Sequence, residues 1–333
     1  MSAGTRSIRI DAMRFIASFA VIGIHSFGFI EDMFERGGHK VDFLWPHVCL
    51  RWSVPLFVML TGALMIGSMK TESALIFLKR RFAWLLPVLT FWVLFYSTIR
   101  LVTNHDHTLG SQIIAALTGR PFLHLWYLYL LPGLYLAALP LSAYARSSTR
   151  KDVWIFFVCC ALLLFLEMGL AFLMPRSTGL TAWPFWFIAY IPYFILGFLL
   201  LRQMSVKLGV GLFATGILLS GTMLTCNIAG GLFMHYCSPG VMLMSAGAFI
   251  VMYSMKPAHP EILRALLNRR VCSMALGIYF VHPAFLAALK RLHYDWTAFH
   301  PFVAACLLWI VVFLASATVV LVMQRIPFLK KVV

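Results

Sequence analysis

Charged residues are scarce in this sequence, and acidic residues are the scarcest of them. Lys, Arg, Asp and Glu make up 11% of the 333 residues, only 11 residues are acidic, and 62% of the chain is apolar. A soluble domain is normally about 25% charged and roughly half apolar. The composition therefore excludes a soluble enzyme and a disordered chain. It also excludes a nucleic-acid-binding domain, in spite of a formal net charge of +16.

Several signatures of catalytic and metal sites are missing as well. The chain contains no GxSxG nucleophile elbow, no Walker loop and no HExxH zinc pair. Its 7 cysteines include no CxxC pair, and most of them lie inside apolar runs, which is typical of buried free thiols. The sequence thus predicts a protein without a metal cofactor.

Long apolar runs are abundant, and a membrane-spanning helix needs about 20 such residues. The first run contains Arg14 and is too long for a signal peptide, so we interpret it as a retained helix. The runs predict an all-α fold, a polytopic integral membrane bundle of about ten transmembrane helices that forms a single domain over 1–333. Their approximate bounds are 10–30, 47–68, 82–102, 122–143, 153–174, 184–201, 208–229, 238–255, 271–290 and 302–323.

The basic residues indicate how the bundle is oriented. Cytoplasmic loops of membrane proteins carry an excess of Lys and Arg. Here the two chain ends and every second loop hold more than twice as many Lys and Arg as the opposite side. This pattern predicts that both termini are cytoplasmic, and it explains most of the positive charge by topology rather than by a ligand site.

The most informative side chains are ionisable groups inside the predicted spans, because a charge in the bilayer is costly. Arg14 and His25 are eleven residues apart, which places them on one helix face about 16 Å apart along the axis, with Ser18 between them. Such a stripe is expected to line a cavity. A permanent cation suits phosphate or carboxylate recognition, and an imidazole can exchange protons. Alternatively, Arg14 pairs with Asp11 and His25 only bonds a neighbouring helix.

Other polar and aromatic residues of the spans are candidate substrate contacts. The second helix, RWSVPLFVMLTGALM, has Arg51 in its first turns, and the ninth run contains a buried histidine in IYFVHPAFL. A membrane-interface aromatic belt is the alternative for the tryptophan and tyrosine residues. A basic cluster at the cytoplasmic mouth, Lys79, Arg80 and Arg81, could bind nucleotide phosphates, although the topology predicts such a cluster anyway. The candidate substrate-binding residues are Arg51, Ser53, His124, Trp126, Tyr129 and His282.

Together these segments resemble the acyltransferase 3 family of bacterial inner-membrane proteins. The family's first-helix pattern is an arginine, ten residues and a histidine, which Arg14 and His25 match. RWSVPLFVMLTGALM, HLWYLYLLPGLYLAALPL and ALGIYFVHPAFL look like its second-, fourth- and ninth-helix segments. Within the family, the likeness is closest to the short WecH type, which O-acetylates enterobacterial common antigen, and to its YiaH-like relatives.

The resemblance implies a multi-pass protein of the bacterial inner membrane, with ten spans. It implies acetyl-CoA or another acyl-CoA as donor, and as acceptor a hydroxyl of a cell-envelope glycan, lipid-linked or already assembled. It favours Arg14 and His25 as catalytic residues, with Arg14 also meeting the donor. The rival hypothesis is a polysaccharide-associated transporter or export component without catalysis. Ten spans with aromatic residues at their ends are compatible with that hypothesis too.

Overall fold

The computed structural model describes residues 3–34, 40–66, 73–103, 108–122, 124–173, 183–202, 204–226, 235–255, 269–292 and 296–333. These residues form helices and turns and contain no strand. Three short 3-10 helices accompany the α-helices at Trp183–Phe185, Trp296–Ala298 and Leu329–Lys331. The α-helices are α1 Ala3–Phe34, α2 Lys40–Leu50, α3 Ser53–Met65, α4 Ala74–Thr103, α5 Leu109–Leu117, α6 Trp126–Ser147, α7 Arg150–Leu173, α8 Trp186–Leu199, α9 Val206–Thr225, α10 Pro239–Ser254, α11 Arg269–Ser273, α12 Ala275–Leu292 and α13 Pro301–Met323.

The helices agree with the predicted membrane-spanning runs. Within the described residues, eight segments are long and apolar enough to cross a bilayer, and α2 and α3 together form one of them, Phe43–Met65. Two shorter apolar helices, Trp183–Leu199 and Pro239–Ser254, coincide with the sixth and eighth runs. The prediction of an all-α polytopic membrane bundle is therefore confirmed.

Helix α1 lies in the interior of the bundle, where it contacts α2, α3, α12 and α13. Its contact with α13 is aromatic: the Phe19 ring stacks on Trp309 at 4.5 Å between centroids, and Trp309 Nε1 donates to the Phe19 carbonyl at 2.7 Å. Toward α12 its contact is polar, since Ser18 Oγ donates to the Ala275 carbonyl at 2.7 Å. The predicted stripe therefore has a definite partner, α12.

Small residues let the other core helices approach closely, as is usual where bilayer helices pack without a hydrophobic driving force. Gly62 of α3 lies against the backbone of α8, and Gly197 of α8 lies against the backbone of α3. A Cβ on Gly62 would lie 2.6 Å from the Phe194 carbonyl carbon, and one on Gly197 would lie 2.6 Å from Met59 Cα. This contact fixes the position of α3, which carries several residues of the site described below.

The second predicted span is interrupted, which the sequence interpretation missed. Arg51 was expected in the first turns of one continuous helix, but it lies with Trp52 in a turn between α2 and α3. Ser53 Oγ donates to the Leu50 carbonyl at 2.8 Å and satisfies an acceptor exposed by the break. Pro55 falls in the first turn of α3, where a missing N–H costs little. The break lies where the Arg51 guanidinium meets the face of the Tyr236 ring.

Candidate active site

The polar stripe of α1 is directed at α12 along its length. Ser18 bonds Ala275, and the His25 ring lies 5.2 Å from the His282 ring, centroid to centroid. Both pairs are 257 residues apart in sequence. The two helices therefore run parallel in a fixed register, and seven residues, about two turns, separate the two contacts on each. The prediction that Arg14, Ser18 and His25 share a face is confirmed.

At the Arg14 end of the stripe lies a cavity of about 270 Å³. Arg14 and Arg81 provide its positive charge, and Arg14 also forms an ion pair with Asp11 at 3.4 Å. The alternative reading of Arg14 is thus partly correct, since it pairs with Asp11 and still lines a cavity. The other lining residues are Phe57, Thr61, Leu64, Met65, Trp84, Tyr127, Leu131, Tyr135 and Leu276.

Two aromatic residues that line this cavity contact a third one, Tyr279, on the side of α12. Phe57 and Tyr127 line the cavity, and each of their ring centroids lies close to Tyr279 of α12, at 6.0 Å in both cases. The Phe57 and Tyr127 centroids are 5.9 Å apart. We call these three residues the aromatic wall. The sequence interpretation did not identify the wall, because its members are far apart in sequence and no local spacing brings them together.

Behind the aromatic wall lies a cluster of three histidines from three separate elements. His282 of α12 stands between His25 of α1, at 5.2 Å, and His124 of the turn before α6, at 5.6 Å, measured between ring centroids. The Tyr279 hydroxyl donates to the His124 carbonyl at 2.6 Å and so ties the wall to the cluster. The structure therefore brings together three of the histidines singled out from the sequence.

Two members of the histidine cluster, His124 and His282, are buried although their ring nitrogens lack well-formed hydrogen bonds. The exposed fraction is 0% for His282 and 1% for His124. Neither ring nitrogen of either residue makes a well-formed hydrogen bond to the described residues, although the Ile278 and Tyr279 carbonyls lie near His282 and the Phe280 carbonyl lies near His124. Buried polar groups normally have partners. Two imidazoles left in this state indicate a place for a polar ligand or water. Among the described residues no His, Cys, Asp or Glu group has a metal-binding arrangement.

A second group of side chains flanks the histidines at this end, and we call it the Arg51 chamber. Its members are Arg51, His47, Trp126, His235 and Tyr236. The Arg51 guanidinium carbon lies 5.1 Å above the Tyr236 ring, and Trp126 stacks on Tyr236 at 5.9 Å. His47 of α2 is adjacent, with Nε2 at 3.3 Å from a Glu31 carboxylate oxygen. Burial lowers the pKa of His235, next to Tyr236; Glu167 opposes this shift and Arg51 adds to it. Tyr236 and His47 were missed, because the sequence gives them no recognisable motif.

Some predicted site residues make hydrogen bonds that keep them out of the site. The Ser53 hydroxyl donates to the Leu50 carbonyl. The Tyr129 hydroxyl donates to the Ala116 carbonyl of α5 at 2.8 Å, and its ring contacts Trp183 at 5.2 Å, away from the histidines. Of the basic cluster, Arg81 lines the cavity, whereas Lys79 and Arg80 are exposed on α4. Trp126, His124, His282 and Arg51 are the candidate substrate contacts that lie at or beside the cluster.

The site therefore joins a cationic cavity to a set of imidazoles through one wall of aromatic rings. This arrangement suits group transfer between an anionic donor at one end and a hydroxylic acceptor at the other, with an imidazole to move the proton. No curated protein and no solved structure matches the chain. The family model described as "Acyltransferase domain" matches residues 7–324, nearly the whole chain. The chain belongs to this acyltransferase family, acyltransferase 3, and is a multi-pass membrane acyltransferase.

Proposed function

We propose that the protein transfers an acetyl or other short acyl group from acyl-CoA to a hydroxyl of a cell-envelope glycan. The observation that carries this proposal is the continuity of the α1 stripe, which begins in a cationic cavity at Arg14 and ends in the histidine cluster at His25. Family membership favours catalysis over the rival hypothesis of an export component without chemistry.

The donor enters at the Arg14 end, which the distribution of basic residues predicts to be cytoplasmic. Arg14 and Arg81 supply permanent cations for the anionic part of the donor, because guanidinium groups match phosphate oxygens. Lys79 and Arg80, exposed on the same turn of α4, attract the donor from outside rather than hold it. The acyl end of the donor then points toward the aromatic wall.

His25 acts as general base at the far side of the wall. It takes the proton of the acceptor hydroxyl while the hydroxyl oxygen attacks the thioester carbonyl carbon. The tetrahedral intermediate collapses, the carbon–sulfur bond breaks, and the departing thiolate receives the proton from His25. The products are an O-acyl ester and the free thiol of CoA. The His282 ring packs beside the His25 ring, with 5.2 Å between the ring centroids.

The acceptor lies at the His25 end, beside Trp126 and the unsatisfied nitrogens of His124 and His282. Sugars present hydroxyl groups that suit such donors and acceptors, and an indole face suits a sugar ring. A lipid-linked or assembled polysaccharide of the bacterial inner membrane fits this position. The short WecH type, which acts on enterobacterial common antigen, together with its YiaH-like relatives, is the specific subgroup we propose.

The test uses the purified full chain in proteoliposomes with radiolabelled acetyl-CoA. We expect His25→Ala and His25→Gln to lower acyl transfer or donor hydrolysis by about 10² or more. His300→Ala is the matched control, because His300 is an exposed histidine before α13 and should leave activity unchanged. Full activity in the inserted His25 variants would refute the assignment. Counterflow of intact solute without acyl transfer would support the export hypothesis instead.

A further measurement separates direct transfer from an acyl-histidine intermediate. The protein is mixed with acetyl-CoA in the absence of acceptor, quenched with acid and analysed as an intact mass. A general base leaves the mass of the chain unchanged. A stable adduct that disappears in His25→Gln would show that His25 carries the acyl group itself.

A further inference from the structure

Arg51 is a cation inside a membrane span without an acidic partner. It lies within Phe43–Met65, its Nε is buried, and its side chain makes no hydrogen bond or ion pair with the described residues. Its described contact is the face of Tyr236. A charge at such a position is costly unless an anion or water compensates it. Arg14, in contrast, has Asp11 at 3.4 Å.

The groups around Arg51 do not supply the missing negative charge. His25, His47 and His235 lie close enough to interact with it electrostatically, and all three are imidazoles. The nearby carboxylates act on these histidines: Glu31 lies 3.3 Å from His47, and the Glu167 charge acts on His235. In the part of the chain that the structure describes, no carboxylate lies within ion-pair distance of Arg51. The Arg51 guanidinium therefore has no direct counter-ion among the described residues.

An aromatic platform extends from the same guanidinium. Tyr236 lies under Arg51, Trp126 stacks on Tyr236 at 5.9 Å, and Tyr190 lies 5.6 Å from Trp126. The Tyr193 hydroxyl donates to the Tyr236 carbonyl at 2.5 Å and holds this segment in place. A fixed cation beside a stack of rings suits a ligand that combines an anionic group with an apolar or sugar-ring face.

We infer that the Arg51 chamber binds an anionic group of the acceptor, either the carboxylate of an acidic sugar or the phosphate of a lipid-linked one. The identity of the ligand as acceptor rests on the proposed function, because the chamber adjoins His25. The guanidinium pairs with two oxygens of the anion, and the platform supports the ring or lipid next to it. A neutral glycan leaves Arg51 uncompensated and is a poorer ligand.

Binding to the purified full chain in detergent micelles tests this inference without any acyl transfer. The probes are methyl β-D-glucuronide against methyl β-D-glucoside, and geranyl pyrophosphate against geraniol, measured by calorimetric titration. We expect at least one anionic probe to bind about tenfold more tightly than its neutral counterpart. Arg51→Gln should abolish that preference, and Arg51→Lys should keep part of it. The pair that shows the preference identifies the carboxylate or the phosphate as the anion.

Two controls separate this site from the donor site and from the proposed chemistry. Arg14→Gln should keep the preference, since Arg14 lies at the opposite end of the stripe. His25→Ala should also keep it, even though transfer is lost. The inference is overturned if neither anionic probe is preferred, or if the preference survives Arg51→Gln; its disappearance in Arg14→Gln would assign the anion to the donor cavity instead. Failure of transfer in the unsubstituted protein, with an intact preference, would count against the proposed function alone.

Discussion

Replacing His282 with leucine should make the protein at least as stable while it destroys activity. His282 is fully buried, and neither of its ring nitrogens has a well-formed hydrogen bond among the described residues. Burying an unsatisfied polar group costs about 1–3 kcal/mol. Leucine is of similar volume and removes that cost, so we expect the free energy of unfolding to stay the same or to rise by up to about 3 kcal/mol. Acyl transfer should fall by about 10² or more, because His25 loses its neighbour.

Tyr96→Phe is the matched control for this prediction. The Tyr96 hydroxyl is buried and donates to the Phe280 carbonyl at 2.5 Å, two residues before His282 on the same helix. Removing a satisfied hydrogen bond should lower the free energy of unfolding by about 1 kcal/mol. The two variants should therefore shift the midpoint of unfolding in detergent in different directions. Loss of more than about 2 kcal/mol in His282→Leu, with transfer retained, would show that His282 is an ordinary core residue and refute the reasoning.

Two further substitutions probe the packing of α3 and the donor cavity. Gly62→Ala places a Cβ against the Phe194 backbone and should destabilise the protein by about 1–3 kcal/mol, whereas Gly169→Ala, with open space around it, should be neutral or slightly stabilising by thermal unfolding. Equal effects would contradict the close approach of α3 and α8. Arg81→Ala should raise the KM for acyl-CoA about tenfold, because Arg81 lines the cavity, whereas Lys79→Ala should change it little. A larger effect at Lys79 would contradict the cavity as the donor site.

Helix positions and the α1 stripe could be predicted from the sequence because both depend on local spacing. Apolar runs mark spans directly, so α13 appears within one residue of the predicted bounds, whereas α1 and α4 begin about two turns earlier than predicted because polar residues continue each helix beyond its apolar run. The helical period alone placed Arg14 and His25 on one face. The division between the seventh and eighth runs is confirmed as well, since α9 and α10 are separate helices.

The rest of the site depends on contacts between distant segments. The aromatic wall combines Phe57, Tyr127 and Tyr279 from three helices, and no spacing within one helix reveals such a meeting. The break at Arg51 was missed because a turn of two residues leaves the apolar run uninterrupted. Tyr129 was grouped with Trp126 by proximity in sequence, although its hydroxyl bonds α5 instead. Hydrophobic pattern therefore predicts which helices exist, but not which side chains converge between them.

The fixed register of α1 and α12 limits how the protein can move. The hydrogen bond from Ser18 to Ala275 and the imidazole pair two turns away fasten these two helices at two points. A rearrangement that separated α1 from α12 would also separate His25 from His282. We therefore expect substrates to meet through rotation of the Phe57 and Tyr127 side chains, since the close contact with α8 also holds the α3 backbone in place. In this view the helix backbones of α1, α3 and α12 stay in place, and the two aromatic side chains open the path between the cavity and the histidines.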